Sequence, residues 1–159
     1  MSDKITTCLW FDTEGEEAAQ FYCSLFPNSR IVGVSHYGEA GPRAAGTVLT
    51  VDFELDGRPY VALNGGPDHP STEGVSFQIG CADQDAVDRY WTALTADGGE
   101  EGPCGWVKDR FGLSWQVVPT AMPALLSDPD PERANRAMAA MLQMKKLDIA
   151  TLRAAADGA

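Results

Sequence analysis

The 159-residue sequence predicts an α+β fold. It is built from paired β-α-β-β-β modules whose curved mixed sheets form a cleft, and it ends in C-terminal helices. Three observations predict it. A strand-helix-strands pattern runs from Ile5 to Leu63 and restarts at Val75, a repeat of about 70 residues. Asp56-Gly57, set between two alternating runs, marks a hairpin. Beyond Pro119 only helical spacing remains. A sheet with one helix on one face still needs a partner for its other face, so the two sheets are expected to close on each other.

In the first module, Ile5–Phe11 is rich in β-branched and aromatic residues and reads as a strand. Glu16–Phe26 places Ala18, Phe21, Tyr22, Leu25 and Phe26 on one helical face, and Pro27-Asn28 stops it. Arg30–Tyr37, Thr47–Leu55 and Pro59–Leu63 read as strands, with the Gly-rich stretch 38–46 as a loop. In the second module, Val75–Cys81 is a strand. Asp83–Ala96 is a helix with Val87, Tyr90, Trp91 and Leu94 on one face, closed by Gly98-Gly99. Gly105–Lys108 and Leu113–Pro119 are strands about an Asp109–Gly112 turn. In the tail, Asp128-Pro-Asp-Pro131 opens a helix over about 132–144, and a second follows over about 149–156. The expected organisation is one domain over 1–121, with modules at about 4–67 and 73–120, and a helical tail over 122–159.

Composition narrows the function classes. A net charge of −11 repels phosphate backbones and argues against nucleic acid as a partner. No apolar run reaches the roughly 18 residues needed to span a bilayer, and Met1-Ser-Asp-Lys does not open a signal peptide. A cytoplasmic protein without a membrane partner is therefore expected. Cys8, Cys23, Cys81 and Cys104 form no tight metal spacing and read as free thiols, with Cys104 alone in a loop.

Several segments carry a family resemblance: Leu9-Trp-Phe-Asp12, Ala18-Ala-Gln-Phe-Tyr22 with Leu25-Phe-Pro27, Ala62-Leu-Asn-Gly-Gly-Pro67, Val75-Ser-Phe-Gln78, Asp109-Arg-Phe-Gly-Leu-Ser-Trp-Gln-Val-Val-Pro119 and Met144-Lys-Lys-Leu-Asp-Ile149. Together they resemble the PhnB-like proteins, catalogued as 3-demethylubiquinone-9 3-methyltransferase domain proteins. These lie within the vicinal oxygen chelate superfamily of glyoxalases, bleomycin-resistance proteins and dioxygenases. The resemblance implies the glyoxalase/bleomycin-resistance fold and a small-molecule pocket on the sheets. It also implies a homodimer, a reading consistent with the exposed sheet edge of each module.

In the superfamily, facing strands supply His and Glu to a metal. The matching positions here are Thr7, Ala62 or Asn64, Ser76 and Gln116, none of which is a strong metal donor. His36 and His69 match no ligand position. No metal and no cofactor are therefore expected. The expected ligand-binding set is Thr7, Leu9, Phe11, Tyr60, Asn64, Ser76, Gln78, Trp106 and Gln116. A slip of one residue in register would bring Cys8 or Gln78 to the pocket instead. Trp115 is expected to pack outward against a helix, and Asp12 and Asp109 to serve turns or helix caps.

No catalytic constellation is visible, and the catalogued methyl transfer lacks a Gly-rich strand-to-helix turn to hold its donor. Two functions follow. One is a small-molecule-binding protein without a metal. The other is an enzyme, a lyase, isomerase or transferase, acting on a small aromatic or amphipathic substrate.

Overall fold

The computed structural model describes residues 4–159. Met1–Asp3, on which the reading of the N-terminus rests in part, lie outside the described residues. The chain forms two compact units, one through Ser71 and one from Thr72 to Ala159.

In the first unit the elements are β1 (Thr7–Phe11), α1 (Gly15–Leu25), β2 (Arg30–His36), β3 (Val48–Leu55) and β4 (Arg58–Asn64). The sheet runs β1-β4-β3-β2, with β1 parallel to β4 and the other pairs antiparallel. The β3–β4 hairpin turns at Asp56 (φ +47°) and Gly57 (φ +75°), the two positive values a tight twisted hairpin demands. Helix α1 buries Ala18, Ala19 and Tyr22 against Val51, Phe53 and Leu55 of the sheet. Full burial of the sheet side chains, Val51, Phe53 and Leu55, contributes roughly 1.5–3 kcal/mol each.

The second unit repeats the plan with β5 (Phe77–Cys81), α2 (Gln84–Thr95), β6 (Glu100–Glu101), β7 (Trp106–Lys108) and β8 (Ser114–Pro119). Its sheet runs β5-β8-β7-β6, again with a parallel first pair. Val87, Tyr90, Trp91 and Leu94 form the buried face of α2 as expected, and the Asp83 carboxylate caps it by accepting from Ala86 N at 2.8 Å. The helix ends at Thr95. A 3₁₀ turn over Ala96–Gly98 follows, with Gly98 at φ +105°. The two-residue strand β6 has no signature in the sequence, being two exposed glutamates.

The tail folds within this second unit as α3 (Met122–Leu126), α4 (Pro131–Met141) and α5 (Ile149–Asp157). Asp130 and Asp148 cap α4 and α5 through Glu132 N and Thr151 N. Helix α4 stops three residues before the expected end. The carbonyls of Met144 and Lys145 instead accept from Cys104 N and Gly105 N at 2.8 and 2.7 Å, a tertiary demand that overrides helical propensity.

Asp109 is a turn residue, as expected. It is buried and accepts from Phe111 N, Leu113 N and Trp115 Nε1 at 2.9, 3.1 and 2.8 Å. Cys81 is equally buried, on the α2 side of β5, and burial pushes its thiol up to about 11. Below the ordinary thiol value of 9.0 both folded and unfolded chains hold the proton, so this contribution is fully present. As pH rises from 9 through 11 the unfolded chain ionises first and the contribution is lost. The urea midpoint of the native chain should therefore fall more steeply over that window than the midpoint of Cys81→Ala. Parallel pH profiles would show that Cys81 does not titrate differently in the two states.

Candidate functional site

Each sheet has a face covered by its own helix and a face that the helix does not cover. Strand parity decides which residues lie on which. In the first unit the register pairs Thr7 with Tyr60, Leu9 with Ala62 and Phe11 with Asn64, and Phe53 and Val51 pair with Tyr60 and Ala62. This is the α1 face. Asn64 is 4 % exposed; its Oδ1 accepts from Gly15 N at 2.8 Å, and its Nδ2 donates to Thr13 O and Val48 O at 3.1 and 3.2 Å. A side chain at position 15 would put its Cβ 2.6 Å from Asn64 Oδ1, so α1 has to begin on glycine.

Five of the expected pocket residues lie off the uncovered face, although one of them, Asn64, also borders a cavity beside the 38–46 loop. Thr7, Leu9, Phe11, Tyr60 and Asn64 lie on the helix-covered face. Leu9 and Phe11 are core, Tyr60 stacks on Phe53 at 5.5 Å, and Asn64 ties helix to sheet. The physical reason is the period of two. Both parities of β1 and β4 carry apolar residues, so the sequence marks neither face, and a one-residue choice exchanges them. The uncovered face carries Cys8, which is exposed, with Trp10, Val61 and Leu63. Trp10 donates from Nε1 to Gly66 O at 2.7 Å, and its ring meets the edge of His69 at 4.7 Å.

In the second unit the expected residues fall on the uncovered face. Gln78 pairs with Gln116, Gln116 pairs with Trp106, and Gln116 Nε2 donates to Ser76 Oγ at 2.9 Å. Trp115, one residue along, lies on the opposite face with Phe77 and Val107, buried and bonded to Asp109. Beside Trp106 lies a cleft of about 390 Å³ whose walls include Pro103, Glu100, Lys108, Ser114 and Glu73. Lys108 Nζ lies 4.0 Å from Glu100. Sequence reasoning found Trp106 but not Glu73, Glu100, Pro103, Lys108 and Ser114. Only Lys108 and Ser114 carried a signal, since strand alternation places both on the parity of Trp106 and Gln116.

A second cavity, about 820 Å³, lies in the first unit between the 38–46 loop and the turn after β4. The loop is pinned. Arg43 Nη1 donates to Asp12 O and Oδ1 at 2.9 and 3.0 Å, and the Tyr37 hydroxyl donates to Asn64 O at 2.7 Å.

The donor set does not fit a divalent metal. Thr7, Ala62 and Asn64 are turned toward α1, and Ser76 and Gln116 hydrogen-bond one another. Among the described residues no three His, Cys, Asp or Glu side chains are grouped to hold an ion. Hydroxyls and a neutral amide lack the imidazole and carboxylate donors such ions require. All four cysteines are free. Cys104 sits at φ +55° with its thiol on Met141 O at 3.6 Å, a structural placement.

Two β-α-β-β-β modules of one strand order, each ending in a parallel first pair, define the vicinal oxygen chelate class with its glyoxalase/bleomycin-resistance fold. Residues 3–118 match the family model described as 3-demethylubiquinone-9 3-methyltransferase, and the chain belongs to that PhnB-like family. Among solved structures it is similar to a putative 3-demethylubiquinone-9 3-methyltransferase, PhnB protein, from Bacillus cereus. The identity is 33 %, over 74 % of this chain and 100 % of that one, with a TM-score of 0.65. A Pseudomonas aeruginosa protein shares the fold at 20 % identity, over 74 % and 98 % of the two chains, with a TM-score of 0.60. No curated protein matches the chain. No helix among the described residues is long and apolar enough to cross a membrane.

The two faces carry different consequences for mutation. Asn64→Ala leaves a helix N–H and two carbonyls without their buried partner and is expected to cost about 2–4 kcal/mol of stability. Gln116→Ala removes one half-buried hydrogen bond and is expected to cost roughly 1 kcal/mol or less. Urea denaturation of both variants checks this, and equal losses would contradict the face assignment.

Proposed function

We propose that this chain is a small-molecule-binding protein whose site is the uncovered face of the second sheet, working without a resident metal. The supporting observation is the conjunction at that face. A half-buried indole, Trp106, borders a cleft of about 390 Å³, and the Ser76–Gln116 pair and Gln78 stand on the neighbouring strands. An aromatic wall with a few polar groups, here the charged Glu73, Glu100 and Lys108 in the cleft and the neutral amides beside it, is the composition of a small-ligand site. A planar aromatic or amphipathic molecule would stack on Trp106 and compete with Ser76 for the Gln116 amide.

The same reading includes the cytoplasmic homodimer expected above. Each sheet ends in strands with unpaired edges, β1 and β2 in one, β5 and β6 in the other. A methyl-transfer reading finds less support, because neither strand-to-helix turn is glycine-rich and the single glycine there, Gly15, has its N–H taken by Asn64 Oδ1.

Fluorescence titration with the neutral aromatic probe N-phenyl-1-naphthylamine tests the site. The native chain should bind it saturably, and Trp106→Ala should weaken binding roughly tenfold by removing the stacking surface. Equal binding by both chains would place the site elsewhere. Elemental mass spectrometry on protein purified without chelator should find far less than one equivalent of nickel, zinc, iron or manganese. A full equivalent, retained through dialysis, would overturn the metal-free reading.

A further inference from the structure

The loop that carries Trp106 into β7 is held by the tail. Cys104 N and Gly105 N donate to the carbonyls of Met144 and Lys145 at 2.8 and 2.7 Å, and the Cys104 thiol reaches Met141 O. Leu147 is fully buried, with its Cδ1 3.0 Å from where a Cβ on Gly105 would stand. Gly105 is at φ +86°, and a Cβ there would also lie 2.7 Å from Val117 O. Position 105 thus admits no side chain, and the tail closes over its backbone.

The far end of the tail segment is hydrogen-bonded to α2 through one side chain, Gln84. Gln84 Nε2 donates to Leu147 O at 3.1 Å, and Gln84 Oε1 accepts from Ile149 N at 2.9 Å. The carboxamide therefore stands in for a backbone partner on both sides of Asp148. Two ion pairs flank it, Lys145 with Glu101 at 3.6 Å and Lys146 with Asp88 at 2.7 Å. Both are half-exposed and weak by comparison. Glu101, Gly102 and Pro103 line the cleft, so the segment that the tail grips is the cleft's own lip.

We propose that Met141–Ile149 is a strap that sets the position of the lip and of Trp106, with Gln84 the positioning residue that holds it. The inference rests on the cleft being the ligand site. The family model covers residues 3–118, and the strap lies C-terminal to it, in the segment whose Met144–Ile149 run also carries the resemblance. It acts through backbone hydrogen bonds to residues 104 and 105 and touches no ligand itself.

The experiment uses the full chain as native, Gln84→Met and Asp130→Ala. Gln84→Met keeps the stem and deletes both bonds to the tail, together with the Nε2 bond to Asp88 within α2. Asp130→Ala removes the α4 cap and loosens the tail without touching the lip. Three readouts are taken at a temperature where all three chains are folded: amide exchange at Cys104 and Gly105, the indole N–H resonance of Trp106, and the dissociation constant of N-phenyl-1-naphthylamine. Gln84→Met should speed exchange at both amides roughly tenfold, shift the Trp106 resonance and weaken the probe severalfold. Asp130→Ala should leave all three near native values. Unchanged exchange and an unmoved Trp106 resonance in Gln84→Met overturn the strap. Faster exchange with native probe affinity overturns the positioning role. If the native chain does not bind the probe, the ligand-site reading fails for that chemistry. The exchange rates and the Trp106 resonance then still decide whether Gln84 sets the lip.

Discussion

One helix per sheet is the constraint on which both modules depend. A helix covers a single face, and a strand shows alternate residues to the two faces, so one geometric choice assigns every side chain of four strands at once. In the first unit that choice is secured by Asn64, whose carboxamide receives the first N–H of α1 and returns two bonds to Thr13 and Val48. In the second it is secured by Asp109, which fixes the turn before β8 and holds the Trp115 indole on the helix side. Both hubs are polar groups buried at the sheet margin. Buried polar groups of this kind specify an arrangement, because an alternative register would strand them without partners.

The element order was legible because its signals are local. The Asp56-Gly57 turn, the apolar stripe of α2 and the Asp130-Pro131 helix start each depend on a few neighbouring residues. The repeat itself was legible as a restart of the same pattern, and the two identical strand orders give it structural form. What was not legible depends on partners distant in sequence. Helix α4 stops at Met141 because residues 144 and 145 bond to 104 and 105, about forty positions away, and nothing in the helical spacing announces that.

The site was half legible for the same reason. In β8 the sequence Ser114-Trp-Gln-Val117 alternates polar and bulky residues clearly enough to put Gln116 on the open face and Trp115 beneath the helix. In β1 and β4 the alternation is weak. Cys8 and Trp10 are no more polar than Leu9 and Phe11, so hydrophobicity alone could not orient them. The clue that was present is Asn64 followed by two glycines. A short polar side chain at a strand end, next to a turn, is placed to receive a helix start as readily as a ligand, and Gly15 as the first residue of α1 supplies the complementary half of that contact.

The chemistry of the open face then follows from what its donors are already doing. Ser76 and Gln116, which the resemblance aligns with metal-ligand positions, satisfy each other at 2.9 Å. A mutually bonded hydroxyl and amide form a neutral pair that exchanges partners at little cost, since a ligand bond replaces an internal one of similar strength. A metal would have to break that bond and gain only weak oxygen donors in return. An aromatic ligand gains the Trp106 face and leaves the balance of hydrogen bonds unchanged. On the proposed reading the face favours recognition by shape and stacking, with a precision that rests on how firmly Trp106 is held. That returns the weight of the site to Gly105, whose backbone is shared between β8, through Val117, and the tail, through Lys145.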